Sequence, residues 1–148
     1  MTKLRKPLKK KKITVGRSEI VSFQELGIEK IEAKIDTGAY STAIHAHKIW
    51  VEEKDGELML HFDLLDPNNP NYVEDIISTK NFYQKRVKSS NGRMEKRYMI
   101  KTKITIGGKK LTTDLSLTNR GKMRFPVLIG RKVLKKGFLV DVAEKNLH

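Results

Sequence analysis

The chain has 148 residues, of which 38% are hydrophobic and 32% are charged, and this length and composition favour one globular domain. It has no cysteine, which excludes disulfides, iron-sulfur clusters, a cysteine nucleophile and thiolate zinc sites. The longest apolar run covers residues 125–129, far below the roughly 20 residues of a membrane-spanning helix, so we expect no membrane association and residence in the cytoplasm.

The formal charge of +14 is unevenly distributed along the chain. Seven of the 31 basic residues lie in the first twelve positions, which hold no acid, whereas the remaining 136 residues carry 24 basic and 17 acidic side chains. We therefore predict a basic, disordered tail over residues 1–12 and a moderately basic domain over residues 13–148. The tail carries enough charge for a contact with RNA or the ribosome.

Beyond the tail, apolar and polar residues alternate between turn signals, and this pattern predicts an all-β domain. The first clear strand covers residues 30–35 and runs directly into Asp36-Thr37-Gly38. A hairpin follows, in which residues 43–53 and 57–65 are joined by Asp55-Gly56, a dipeptide typical of a type I′ turn.

The Asp55-Gly56 turn predicts the register of this hairpin. The pairing of Trp50 with His61 predicts an aromatic contact across the strands, and the pairing of Lys48 with Asp63 predicts an ion pair. Counting outward from the turn gives the facing pairs Lys54 with Glu57, Val51 with Leu60, Ile49 with Phe62, His47 with Leu64, Trp50 with His61, and Lys48 with Asp63.

A second predicted hairpin, residues 81–106 with its tip at Ser89-Ser90-Asn91-Gly92, is unusually basic and is expected to project into solvent. We call residues 81–100 of this hairpin the basic flap. Downstream, the pattern predicts a strand at residues 111–117, a buried apolar strand at 125–130, one helical turn within 131–136 and a closing strand at 138–142. The flap's basic residues are Lys85, Arg86, Lys88, Arg93, Lys96 and Arg97.

Asp36 is the candidate for chemistry, because it ends a strand and precedes Gly38, which has no side chain and permits close backbone approach. Residues 33–39 together with residues 127–131 resemble the two signatures of retropepsin-like aspartic proteases, in the same order along the chain. More narrowly, residues 34–39, 41–46 and 125–133 resemble a bacterial family formerly labelled ATP-dependent zinc proteases. That family is now regarded as retropepsin-like and is often associated with ATP-grasp ligases that add glutamates to proteins.

The resemblance implies a closed retropepsin-like β-barrel with one short C-terminal helix. It also implies an aspartic peptidase that needs no cofactor. Because the chain has a single Asp-Thr-Gly loop, the active species would be a homodimer with Asp36 from each subunit forming the catalytic dyad. Thr37 would brace the two loops, Gly38 would let them approach, and Gly130 and Arg131 would give structural support.

The expected substrate is an acidic peptide or protein, such as a glutamate-rich tail, because the flap is basic. The substrate-binding candidates are Ala39, beside the catalytic loop, and the flap residues Lys85, Arg86, Lys88 and Arg93. Tyr40 departs from the pattern, because the bacterial family tends to carry Arg at this position.

Three alternatives remain open at this stage. His45 and His47 on one strand face, with Asp66 as a third ligand, are a candidate zinc site, although we predict no metal and find no glycine-rich ATP loop. A basic RNA-associated or ribosome-associated binding module would need the charge but no catalysis. The fold can also persist as a dimeric binding module without chemistry.

Overall fold

The computed structural model describes residues 11–72, 74–89 and 91–148. Within these residues it is mostly β, with a 3-10 turn at Gln24–Leu26 and one short helix, α1 (Arg131–Leu134), so the all-β prediction and its single helical turn are confirmed. The first ten residues of the predicted tail lie outside the described residues. The strands are β1 (Ile13–Val15), β2 (Ser18–Phe23), β3 (Ile28–Ile35), β4 (Thr42–Lys54), β5 (Glu57–Leu64), β6 (Ile77–Thr79), β7 (Tyr83–Lys88), β8 (Met94–Ile106), β9 (Lys109–Thr118), β10 (Val127–Ile129) and β11 (Phe138–Val140).

The main sheet has the order β10-β3-β2-β8-β9-β4-β5-β6, with β7 paired to β8. The short strand β10 lies between two partners, because it pairs with β3 in parallel and with β4 in antiparallel fashion. Successive pairings from β3 through β2, β8, β9 and β4 therefore lead back to β3 through β10. Separately, β1 and β11 form a parallel pair.

The core is formed by the inward faces of these strands, as the period-two pattern predicts. Phe23, Phe62, Ile104, Ile106 and Leu115 are fully buried within it. The apolar segment β10 is also in the core, since Val127 and Ile129 have no exposed surface. This burial holds β10 against β3, at whose end Asp36 lies.

The β4–β5 hairpin has the predicted turn and nearly all of the predicted register. Asp55 and Gly56 have φ values of 54° and 79°, as a type I′ turn requires. Lys54 faces Glu57, and the rings of Trp50 and His61 stack with centroids 5.2 Å apart.

Two details of this hairpin were predicted wrongly. A β-bulge between Ala46 and Lys48 makes Ala46, not His47, the partner of Leu64. Lys48 does face Asp63, but Asp63 is buried and accepts a hydrogen bond from the Tyr72 hydroxyl at 3.0 Å instead of pairing with the exposed lysine.

The short strands β1, β2 and β6 were not predicted, because three to six residues carry too little alternation to stand out. None of the helices in the described part of the chain has the length and apolar character needed to cross a bilayer.

Candidate active site around Asp36

Asp36 lies in the first turn after β3 and is half-exposed. Its backbone N–H donates to the Ile129 carbonyl at 2.9 Å, which ties the loop to β10. Its side-chain Oδ1 accepts a hydrogen bond from the Gly38 N–H at 2.9 Å, so the carboxylate is oriented by its own loop. The loop thus presents an oriented acid that solvent and a ligand can reach.

Gly38 is needed for this orientation. A Cβ at Gly38 would lie 3.2 Å from Asp36 Oδ1, closer than ordinary van der Waals contact. Ala39 closes the turn by donating from its N–H to the Asp36 carbonyl at 3.3 Å. Thr37 and Gly38 are both exposed, as residues that meet another molecule must be.

Gly130 packs directly against the chain that follows the Asp36 loop. A Cβ at Gly130 would lie 2.6 Å from the carbonyl oxygens of both Tyr40 and Ser41, so no larger residue fits without moving the backbone. Its N–H donates to the buried Thr42 hydroxyl at 3.2 Å. The sequence signature at 127–131 therefore lies beside the signature at 33–39.

Arg131 binds the Asp36 loop through two groups. Its backbone N–H donates to the Ala39 carbonyl at 2.7 Å, and its guanidinium Nη1 donates to the Thr37 carbonyl at 3.1 Å. The following residue, Lys132, donates its N–H to the Tyr40 carbonyl at 3.0 Å. The first turn of α1 therefore holds the loop by direct hydrogen bonds.

Of the four predicted substrate-binding residues in the basic flap, the structure brings only Lys85 to the Asp36 loop. Lys85 Nζ lies 5.3 Å from the centroid of the Tyr40 ring. Arg86, Lys88 and Arg93 are exposed on the flap, and within the described residues no hydrogen bond or ion pair joins their side chains to the loop.

The base of the flap is linked to α1 through Asp114 on β9. Lys132 donates to and forms an ion pair with the Asp114 carboxylate. Burial acts to raise the pKa of Asp114, but the hydrogen bond and charge of Lys132 outweigh it and leave the pKa below its ordinary value. Burial and the nearby Asp114 charge raise the pKa of Tyr83, the first residue of β7. The flap and the support of the Asp36 loop therefore share one polar network.

Arg120 is a further basic residue near Asp36 that sequence reasoning missed. Burial lowers the pKa of its guanidinium, the neighbouring Arg97 lowers it further, and the Asp36 carboxylate acts in the opposite direction. Its Nε donates to the Phe125 carbonyl at 3.3 Å. The sequence predicted only a turn at Arg120, because the residues around it give no sign that Arg120 lies near Asp36 in the fold.

The structure does bring His45, His47 and Asp66 together, with one potential ligand atom of each within 4.8 Å of the others. However, His45 Nδ1 accepts the backbone N–H of Arg120 at 2.7 Å, so the ring proton must be on Nε2, which is 2.8 Å from Asp66 Oδ1. A protonated nitrogen has no lone pair for a metal, and the hydrogen bond from His45 lowers the pKa of Asp66. We interpret the group as a link that positions the Arg120 backbone.

Comparison with known proteins agrees with this architecture. The family model described as "RimB-like: Retropepsin-like aspartic endopeptidase RimB" matches residues 14–148. A probable alpha-L-glutamate ligase of Shewanella halifaxensis is 35% identical over 133 residues, and one of Desulfotalea psychrophila is 34% identical over 130. These alignments cover 90% and 87% of this chain but only 29% and 28% of the ligases, so the chain spans less than a third of their length.

A solved structure from Legionella pneumophila, the protein Lpg0085 of unknown function, superposes with a TM-score of 0.64 at 26% identity. The match covers 91% of this chain and 97% of the Legionella chain, so the similarity extends over nearly the whole of both. With a family model that covers residues 14–148, this chain belongs to the RimB-like family of retropepsin-like aspartic endopeptidases.

Proposed function

We propose that this chain is an aspartic peptidase that acts as a homodimer, with Asp36 from each subunit forming the catalytic pair. The observation that carries the proposal is the Asp36 carboxylate, half-exposed at a loop and oriented by the Gly38 N–H at 2.9 Å. The chain has only one Asp-Thr-Gly loop, and peptide hydrolysis by two carboxyl groups requires a second. A two-fold axis beside the loop supplies it without any further sequence.

In this mechanism two adjacent carboxyl groups share one proton, because like charges at close range resist joint ionisation. The ionised group accepts a proton from the attacking water as general base. The protonated group hydrogen-bonds the scissile carbonyl oxygen and stabilises its developing charge. Gly130 and Arg131 keep the loop in position through the backbone contacts described above and take no part in proton transfer.

The same proposal includes a closed barrel as the scaffold. Its support is the circuit of pairings through β3, β2, β8, β9, β4 and β10, in which each strand pairs with the next and β10 closes the circuit on β3. In a closed barrel, β3 and β10 would together restrain the position of the Asp36 loop. A rigid scaffold matters because two loops from separate subunits must meet with small tolerance.

The substrate is proposed to be an acidic peptide or protein tail. The chain carries +14, Lys85 lies beside the Asp36 loop, and Arg120 lies close enough to interact with Asp36. Relatives of this chain are named probable alpha-L-glutamate ligases, proteins whose name indicates that they join glutamate residues. We propose that this chain removes glutamate residues that such ligases add. Its predicted location stays the cytoplasm.

Mixed dimers test the shared site directly. Wild-type and Asp36→Asn chains, carrying different tags, are unfolded together, refolded at varying ratios and assayed on a glutamate-rich peptide. If each site needs both aspartates, an equal mixture keeps about a quarter of the wild-type activity, whereas independent subunits keep about half. The Asp36→Asn chain alone should lose at least about 100-fold in rate while folding and dimerising normally.

Two results would refute the proposal. One is full activity in Asp36→Asn, which would remove this carboxylate from the chemistry. The other is a linear fall of activity with the wild-type fraction, which would show that one chain contains a complete site. A protein of monomeric mass in sedimentation at assay concentration would lead to the same conclusion.

A further inference from the structure

Three cations, one from β7 and two from α1 and the residue after it, lie near the ring of Tyr40. Lys85 Nζ from β7 lies 5.3 Å from the ring centroid, Lys135 Nζ just after α1 lies 5.5 Å from it, and the Arg131 guanidinium carbon lies 5.9 Å from it. The ring itself is 43% exposed. We call these four residues the Tyr40 cluster.

The backbone of Tyr40 is held in place by the same elements that hold the Asp36 loop. Tyr40 is four residues after Asp36, and its carbonyl accepts the Lys132 N–H at 3.0 Å while packing against Gly130. Four residues of chain reach at most about 14 Å, so the Tyr40 backbone stays close to the Asp36 carboxylate. Any group bound at the cluster is therefore within reach of a substrate held at Asp36.

The charges of the cluster are not neutralised within the described residues. No ion pair there joins Lys85, Arg131 or Lys135 to a carboxylate, although the neighbouring Lys132 is paired with Asp114. The face of an aromatic ring attracts cations, but three cations gathered on one ring also repel one another. An anion bound near these cations would reduce that repulsion and accept charge-assisted hydrogen bonds from them.

We infer that the Tyr40 cluster is a subsite for a carboxylate group of the substrate, bound among Lys85, Arg131 and Lys135 beside the Asp36 loop. The inference rests on the proposed function and adds the residues that would select an acidic substrate. The carboxylate belongs either to a glutamate or aspartate side chain or to the end of the substrate chain, since both present the same group. Tyr40 acts by positioning the cations, and its ring forms the floor of the subsite.

The test uses the full chain with Asp36→Asn, so that peptide binds without being cut. Binding of a fluorescent, amidated hexaglutamate peptide is measured by anisotropy and compared with hexaglutamine of the same length. The double variant Lys85→Gln with Lys135→Gln should bind hexaglutamate about tenfold more weakly, at roughly threefold for each charge, with hexaglutamine unchanged. A hexaglutamine peptide with a free terminal carboxylate distinguishes the chain end from the side chain as the bound group.

The matched control removes two charges at the far end of β8 and β9. Lys103 and Lys110 are both exposed, and the double variant Lys103→Gln with Lys110→Gln changes the net charge equally. It should alter hexaglutamate binding less than twofold. Two substitutions of Tyr40 test the ring without changing the net charge. Tyr40→Phe keeps an aromatic ring and should retain hexaglutamate binding, whereas Tyr40→Leu should weaken that binding because the three cations lose the ring that they share.

The inference is overturned if the Lys85 and Lys135 double variant binds hexaglutamate as tightly as its parent, or if the control pair weakens binding as much. It is also overturned if a short oligonucleotide displaces the peptide at lower concentration than free glutamate peptide does, since the cluster would then bind phosphate. Hydrolysis by the chain with Asp36 intact is measured separately. Unchanged kcat/KM for a glutamate peptide in the Lys85 and Lys135 double variant would refute the subsite but not the peptidase activity. Selective binding of hexaglutamate without hydrolysis would refute the peptidase activity but not the subsite.

Discussion

Backbone hydrogen bonds, more than side-chain contacts, decide where the Asp36 carboxylate points. The N–H of Asp36 is bonded to Ile129, the Gly38 N–H is bonded to Oδ1, and the Arg131 N–H is bonded to Ala39. Backbone donors have few degrees of freedom, so they orient a carboxylate at a low cost in conformational entropy. This arrangement makes the small residues of the site as important as the acid.

Gly130→Ala should destabilise the protein by about 3 kcal/mol, because the new Cβ would meet two carbonyl oxygens at 2.6 Å and force the backbone apart. Urea unfolding at one fixed protein concentration measures this. Gly121→Ala serves as the control, since its Cβ would meet only side-chain atoms, the nearest at 3.2 Å. Equal stability of the two variants would show that the Gly130 contact is not tight in solution.

Asp114 should contribute a stability term that depends on pH. Its folded pKa lies below the ordinary value, so this term is fully present above the unfolded pKa of about 3.9 and is lost as pH falls through the lower folded pKa. The difference in unfolding free energy between wild type and Asp114→Asn should therefore be constant above about pH 5 and shrink below about pH 4. Denaturant titrations from pH 2.5 to pH 7 measure it. A difference that stays constant at low pH would contradict the Lys132 ion pair.

Metal removal should leave hydrolysis unchanged. The His45 ring accepts the Arg120 N–H and donates toward Asp66, which leaves His47 and Asp66 without a third ligand of the set. Activity in EDTA, compared with activity after added zinc, tests this, and calorimetric zinc titration of wild type and His47→Ala gives a second readout. Activity that EDTA abolishes and zinc restores would establish a metal centre.

At the scale of elements, the β4–β5 hairpin shows where local chemistry suffices. Asp55 and Gly56 both have positive φ, a region that Gly adopts freely and that Asp and Asn tolerate better than other residues. Gly56→Ala should cost about 1 kcal/mol of stability and leave hydrolysis unchanged, because the turn has no contact with the Asp36 loop within the described residues. Denaturant unfolding with Asp55→Asn as the control, an exchange that tolerates positive φ, checks this prediction.

The basic flap is an element whose role depends on its attachment. Tyr83 at its base is close to Asp114, which is bonded to Lys132 of α1, so the flap and the loop support are linked across three elements. Its sequence predicted a basic hairpin, and β7 and β8 do pair from Tyr83 with Met99 to Lys88 with Met94. Of the predicted flap residues, Lys85 alone reaches Tyr40 because its side of β7 turns toward the Asp36 loop. The charge pattern of the sequence does not tell which side of β7 turns inward.

At the scale of the whole molecule, we expect the charge of residues 1–12 and the charge near Asp36 to have separate roles. Removing residues 1–12 takes away seven basic residues, whereas Lys85, Arg120 and Arg131 stay in the chain. Hydrolysis of a glutamate peptide should therefore stay within about twofold of the full chain, and any RNA binding should weaken and lose part of its salt dependence. Kinetics and a filter-binding titration at several salt concentrations measure both. Salt-dependent RNA binding by a chain without peptidase activity would favour the binding-module alternative.

Local sequence determined the longer strands, the Asp55-Gly56 turn and the two signatures around Asp36 and Gly130. Alternation, turn dihedrals and the small residues of a signature are properties of a few adjacent residues. Only the tertiary structure decided that Arg120, Lys85 and Lys135 lie near the Asp36 loop and that a bulge shifts His47 out of register. These features depend on the facing of strands distant in the chain. Contacts between distant segments follow from how the whole sheet packs, and no short window of sequence carries that information.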